Sequence, residues 1–163
     1  MRKRRLAREM AVQMLYQGDL GGTDWRQVTG AFDPSEYLIL EENGSTEDVG
    51  RRRSALAAEG EVDAALEYAT RLLRGTQEHL KPIDDLIREQ ADHWRLERMP
   101  AVDRNILRLA VYELLYEAEV PQLVVVDEAI ELAKAFGSER SSSFVNGLLD
   151  GLLKHHSFPG SRT

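Results

Sequence analysis

Apolar residues recur along most of the chain at the three- and four-residue spacing that lines one face of an α-helix. The first segment carries Leu6 and Met10 in this register and is predicted to end near Gly18. A short second helix is predicted around Trp25, and Pro34 is suited to the first turn of another. The hydrophobic pattern therefore indicates a helical protein from its first residues.

Two longer helices are predicted in the middle of the chain. One holds apolar residues in register over 62–73 and ends near Gly75 or His79, and the next covers 82–91, with Trp94 in its core. Between the early helices and these two, the composition of 43–60 shifts to Gly, Ser, Glu, Asp and Arg without periodic apolar positions. We expect this segment to be a mobile insertion.

The C-terminal half has the clearest periodicity. Residues 106–114 predict a helix that begins after Pro100. Residues 124–126 favour a strand by propensity, but the positions that follow continue at helical spacing to Gly137, so the whole segment is predicted to be a helix.

A final helix is predicted over 144–152, with a serine among 141–143 as its N-cap. Gly147 lies inside this helix, and we expect it to serve close packing because glycine disfavours a helix interior. Phe144 has a core position as its plainest interpretation.

The 163 residues, 42% of them hydrophobic, are enough for one compact domain or for two small helical halves that share an interface. The chain has no cysteine, which excludes disulfides, thiolate metal sites and cysteine nucleophiles. No apolar run reaches the roughly 18 residues that span a bilayer, and charges interrupt the start where a signal peptide would need an apolar stretch. We therefore expect an unprocessed cytoplasmic protein without membrane association.

The charge is distributed unevenly. The net charge is −7, yet five basic residues precede the first acid, so all 28 acidic residues lie after them. A basic start on an acidic body suggests two partners, an anion for the start and a basic surface for the body. Guanidinium groups pair with phosphates and stack on bases, which makes RNA the favoured anion. The alternative is a solvated helix start. The basic residues are Arg2, Lys3, Arg4, Arg5 and Arg8.

Catalysis and metal binding have no support in the pattern. His79 and His93 are far apart, whereas His155 and His156 are neighbours that point to different helix faces. No P-loop, dinucleotide-binding glycine pattern, nucleophile elbow or HExxH sequence occurs. We expect a protein that is not an enzyme and that has no cofactor and no metal site.

Several strings together resemble the NusB family of transcription antitermination factors. They are 4–17 (RRLAREMAVQMLYQ), 106–114 (ILRLAVYEL), 125–137 (VVDEAIELAKAFG) and 144–150 (FVNGLLD). The resemblance covers most of the chain except 43–60 and the last few residues.

The resemblance implies an all-α fold of about seven helices in two helical subdomains. We expect a single domain over 1–163, with 1–42 and 61–94 as its N-terminal part and 100–156 as its C-terminal part. It further implies binding of boxA-type ribosomal RNA transcripts together with NusE, a small-subunit ribosomal protein, within the transcription elongation complex. The family's RNA-contacting positions correspond to the basic cluster, Tyr16 and Phe144, and its partner-contacting positions to Asp103 and Glu128. We expect Asp103 in the first turn after Pro100 and Glu128 in the turn that opens the next long helix.

The sequence departs from the family pattern at two places. Residues 140–143 read Arg-Ser-Ser-Ser where many relatives have Asp-Ser-x-Lys, and Gln122 replaces an aromatic residue. These changes affect the expected RNA contacts near Phe144 and the expected NusE contact. Two other functions remain open: an RNA-binding accessory module like the N-terminal domains of ribosomal RNA methyltransferases, and a structural helical homodimer.

Overall fold

A computed structural model describes residues 2–32, 61–92 and 95–159, with side chains from Arg4 onward in the first range and from Val62 onward in the second. These ranges contain seven α-helices, one 3-10 turn at Leu96–Arg98 and no strand, which confirms the all-α prediction. The helix expected at Pro34, the insertion 43–60 and Trp94 lie outside the described residues. The α-helices are α1 (Arg2–Gly21), α2 (Trp25–Ala31), α3 (Glu61–Glu78), α4 (Leu80–Gln90), α5 (Ala101–Tyr116), α6 (Gln122–Phe136) and α7 (Ser141–His155).

The chain divides into two compact units, residues 1–73 and 74–163. The boundary lies within α3, whereas the sequence placed it between 94 and 100. The physical reason is that α4 packs against α5 and α7, so its apolar face belongs to the core of the second unit. None of the described helices is long and apolar enough to cross a membrane.

In the first unit, α1 is buried over most of its length. Leu6, Met10 and Met14 are each 2% exposed or less. Gly22, with φ of +64°, ends α1 in the left-handed conformation that favours glycine. Asp24 then caps α2: the Gln27 amide nitrogen donates to Asp24 Oδ1 at 3.1 Å, and the Asp24 amide nitrogen donates to Gln27 Oε1 at 3.2 Å.

In the second unit, α5 is the central helix, and all its residues from Asn105 to Leu114 are buried. The enclosed Arg108 guanidinium donates from Nε to Asp84 Oδ1 at 2.9 Å and from Nη2 to Asp84 Oδ2 at 3.0 Å. It also donates to Asn105 Oδ1 at 3.3 Å. This two-point ion pair fixes α4 against α5, because the planar guanidinium matches a carboxylate in one orientation.

Helix α6 starts at Gln122, so the strand propensity of 124–126 is overridden. Val125 and Val126 are buried in the core of the unit. A β-branched residue costs a helix only a few tenths of a kcal/mol relative to the best helix formers, whereas burying a valine side chain gains about 1.5 to 3 kcal/mol. Tertiary packing therefore decides this segment.

The start of α7 and Gly147 differ from the predictions. Arg140 occupies the N-cap position without a side-chain hydrogen bond, and Ser141 is the first helical residue. The Ser141 hydroxyl instead accepts from the Ser138 amide nitrogen at 2.9 Å and donates to Asp103. Gly147 is exposed, and a Cβ there would meet nothing within 4 Å. The expectation that it serves close packing is wrong.

Candidate nucleic-acid interface

The basic cluster lies on the first two turns of α1. Arg4 and Arg5 are exposed, whereas the side chains of Arg2 and Lys3 lie outside the described part of the structure. The first turn of α1 has no acidic residue. Positive charge at a helix N-terminus opposes the helix dipole, so this arrangement does not stabilise α1. Because the Arg4 and Arg5 side chains are exposed, an external anion can reach them.

Arg8 differs from its neighbours because it is only 2% exposed. The sequence grouped it with Arg4 and Arg5 in one RNA-contacting cluster. The reason for the difference is that α1 is enclosed on nearly every side from Leu6 to Leu15. Of the three arginines of α1 whose side chains are described, the unbound chain therefore presents two to solvent.

Tyr68 on α3 joins this surface. The Arg4 guanidinium lies 5.7 Å from the centre of the Tyr68 ring, and the Arg71 guanidinium lies 5.9 Å from it. Both distances are in the range of cation–π attraction. Neither Tyr68 nor Arg71 was predicted from the sequence. Their three-residue spacing puts them on one helix face, but only tertiary packing brings them to α1.

Tyr16 is half-buried on α1. It follows Arg5 by three helical turns, about 16 Å along the axis, and falls within roughly 20° of the same face. Arg5 and Tyr16 therefore lie on the same side of α1, but the buried residues Glu9 and Val12 separate them along that side. We call Arg4, Arg5, Tyr68 and Arg71 the basic–aromatic surface, and Tyr16 lies apart from it on α1.

Phe144 lies in the second unit, on α7, and it is half-exposed. It lines an open groove of about 340 Å³ between the end of α4 and α7, together with Gln90, Asp92, Ser143 and Gly147. We call this cavity the α4–α7 groove. Part of the Phe144 side chain therefore faces the groove. Phe144 is not the wholly buried core residue that its plainest interpretation predicted.

The two predicted partner-binding acids have different surroundings. Asp103 lies in the first turn of α5 as expected, but it is only 4% exposed, and its Oδ1 accepts a hydrogen bond from the Ser141 hydroxyl at 2.6 Å. Glu128 is half-exposed in the middle of α6. The sequence placed it in the opening turn of that helix, and this is wrong because α6 starts at Gln122.

The three described histidines contact neighbouring side chains or backbone, and the His156 ring centre lies 6.4 Å from that of Phe158. His79 Nδ1 lies 2.9 Å from the Gly75 carbonyl oxygen, and its ring centre lies 4.1 Å from that of Tyr116. His155 contacts Gln90. Within the described ranges, no group of three or more His, Asp or Glu side chains is arranged to hold a metal ion.

Comparison with known proteins gives a consistent result. Residues 5–154 match the model of the NusB family. The transcription antitermination protein NusB of Citrifermentans bemidjiense is 40% identical over 154 residues, which is 92% of this chain and 93% of that protein. The Thermotoga maritima protein of the same name is 53% identical over 92 residues, which is 56% of this chain and 65% of that protein.

Solved structures agree with this match. The structure of T. maritima NusB superposes with a TM-score of 0.64 at 39% identity, covering 94% of this chain and 92% of that one. A crystal structure of the antitermination factors NusB and NusE in complex with dsRNA superposes with a TM-score of 0.69 at 27% identity, covering 96% of this chain and 99% of the matched chain.

Proposed function

The chain belongs to the NusB family, and from this premise we propose that it is an RNA-binding antitermination factor that acts on boxA-type ribosomal RNA transcripts together with NusE. It works in the cytoplasm within the transcription elongation complex, by binding and without turnover. The observation that carries the proposal is the basic–aromatic surface, where Arg4 of α1 and Arg71 of α3 lie 5.7 Å and 5.9 Å from the Tyr68 ring centre and Arg5 is exposed next to Arg4, in a protein of net charge −7.

The chemistry of this surface suits single-stranded RNA. Arginine forks onto phosphate oxygens and also stacks on bases, and a tyrosine ring offers a face on which any base can stack. Arg4 and Arg5 bind the phosphates in this proposal, and Tyr16, about three turns further along the same side of α1, stacks on a base. Arg2 and Lys3 extend the positive charge along the sequence, and Arg8 supports the helix from within the first unit.

The acidic body supplies the contact with NusE. Because Glu128 is half-exposed, we assign it the direct charge contact with this basic protein. Asp103 is enclosed and hydrogen-bonded to Ser141, so its contribution is to hold the junction of α5 and α7 in shape. The solved complex of NusB and NusE with dsRNA supports testing this chain in an assembly of three components: the chain itself, NusE and RNA.

The test is to measure binding of a fluorescent boxA-type single strand by anisotropy, with and without purified NusE. We expect binding that weakens steeply as salt rises and a tighter complex when NusE is added. A chain that binds neither the RNA nor NusE at low salt contradicts the proposed function. Binding of NusE without RNA would reduce it to a protein adaptor.

A further inference from the structure

The α4–α7 groove has a composition that phosphate binding does not explain. Among the described residues that line it, none carries a positive charge. Its polar groups are the Gln90 amide, the Asp92 carboxylate and the Ser143 hydroxyl. Asp92 and Ser143 are exposed at its rim, and Ala91 and Leu148, each 7% exposed, supply apolar lining. A carboxylate repels phosphate but accepts hydrogen bonds from amino groups.

Helix α7 presents its backbone to the groove. Gly147 lines the cavity, and a Cβ at this position would meet nothing within 4 Å. Phe144 precedes Gly147 by three residues and so lies on the same face. A flat ring can therefore lie over Gly147 while it packs against the Phe144 side chain. The groove volume of about 340 Å³ is in the range of small-molecule sites.

The Gln90 side chain is held in one orientation. His155 Nδ1 donates to Gln90 Oε1 at 3.1 Å. The rest of the amide lies over Gly151, where a Cβ would overlap Gln90 Nε2. Because Gly151 follows Gly147 by one turn on the same face of α7, the Nε2 donor lies on the helix surface that continues into the groove. The amide is thus held where the end of α4 meets α7.

We propose that the α4–α7 groove receives one unstacked RNA base that carries an exocyclic amino group. The base lies over Gly147 against Phe144, its amino group donates to the Asp92 carboxylate, and Gln90 offers Nε2 to a ring or carbonyl acceptor. Cytosine, adenine and guanine carry such an amino group, whereas uracil does not. This inference rests on the proposed RNA-binding function and adds a base preference to it.

The experiment compares two fluorescent single strands of equal length, oligocytidine and oligouridine, on the full chain. We expect tighter binding of oligocytidine by the parent. Gly147→Leu fills the groove, and it should weaken oligocytidine binding by about 5- to 150-fold and abolish the preference. Asp92→Ala, a change at an exposed side chain, should lower the preference without affecting folding. Gly30→Leu is the matched control, since Gly30 is also helical with nothing within 4 Å of a Cβ.

The outcomes separate the two proposals. If the parent binds neither strand in a salt-dependent manner, the proposed RNA-binding function fails. If it binds both strands equally, or if the preference survives in both Gly147→Leu and Asp92→Ala, the base-binding role of the groove is wrong while RNA binding stands. A Gly147→Leu chain that keeps the preference and loses NusE would assign the groove to the protein partner and overturn the inference.

Discussion

The Ser141 hydroxyl donates to the Asp103 carboxylate across 2.6 Å, and this bond connects the first turn of α7 to the first turn of α5. Both residues are almost fully enclosed. A buried carboxylate needs hydrogen-bond donors to offset its lost hydration. The bond therefore identifies Asp103 as part of the folded framework next to the helix that carries Phe144.

Removing the hydroxyl should destabilise the second unit. We expect Ser141→Ala to lower the free energy of unfolding by about 1 to 3 kcal/mol, because a buried carboxylate loses a donor. Urea denaturation measures this. Ser143→Ala removes a hydroxyl from the exposed part of the same turn and should change stability by no more than about 0.5 kcal/mol. Equal effects of the two changes would contradict the framework role.

The buried ion pair between Asp84 of α4 and Arg108 of α5 should contribute far more to folding stability than the exposed ion pairs of the neighbouring Asp85. Asp84→Ala leaves the enclosed Arg108 guanidinium without its carboxylate and should cost about 3 to 5 kcal/mol of folding stability. Asp85→Ala removes the neighbouring acid, which is exposed and pairs with Lys81 and Arg88. That change should cost less than about 1 kcal/mol. Thermal melting of the two variants side by side checks the prediction, which fails if Asp85→Ala is the more damaging.

Phosphate binding by α1 should appear in the salt dependence of RNA affinity. Each arginine that no longer pairs with a phosphate lowers the slope of log affinity against log salt by about 0.7 for a single strand, so Arg4→Ala with Arg5→Ala should flatten it by about 1.4. Lys81→Ala with Lys154→Ala removes the same charge from exposed positions of the second unit. A slope that falls equally in both double variants would mean that net charge, and not the basic–aromatic surface, determines binding.

Phe144→Ala should separate stacking from packing. As a stacking residue it should cost about 1 to 3 kcal/mol of RNA binding with only a small loss of stability. Phe158 is 4% exposed, so Phe158→Ala should instead cost about 3 to 5 kcal/mol of folding stability. Anisotropy and denaturation on both variants give the answer. A large stability loss in Phe144→Ala without a specific loss of RNA binding would show that Phe144 is a core residue and does not stack on RNA.

The interaction of Glu128 with NusE should depend on charge. Glu128→Lys is expected to slow association with NusE at low salt, because steering of a basic partner is lost, while RNA binding by the chain alone stays unchanged. Asp127→Lys makes the same charge change at the adjacent exposed position, which points about 100° away around α6. Surface plasmon resonance distinguishes the two. Association rates equal to that of the parent in Glu128→Lys remove this residue from the interface.

The sequence predicted the long helices well because their apolar spacing is a local property. It also placed Asp103 correctly in the first turn of α5, where Pro100 marks the start. The start of α6 was harder, since the valines at 124–126 favour a strand locally and become helical through burial in the core of the unit. The local spacing of apolar residues therefore predicts the helices, whereas tertiary packing determines the secondary structure of segments whose propensity is ambiguous.

The functional residues were predicted less completely. The arginine cluster is visible in the sequence, but its division into exposed Arg4 and Arg5 and enclosed Arg8 depends on how neighbouring helices surround α1. Tyr68 and Arg71 join Arg4 from a helix far along the chain, and no local pattern pairs them. The α4–α7 groove likewise forms only when α7 packs against the end of α4, with Gln90 over Gly151 and Gly147 left open to the groove.

Helix α1 carries exposed arginines at its first turn and becomes the buried centre of the first unit within two turns. Helices fray from their ends, so the turn that binds the anion is also the turn that opens first. An anion held there neutralises the charge that opposes the dipole and closes that end. RNA binding should therefore slow amide hydrogen exchange beyond the contacted turn, in the segment around Met10 and Met14. The bound RNA would then stabilise the hydrophobic core of the first unit as well as the turn that it contacts.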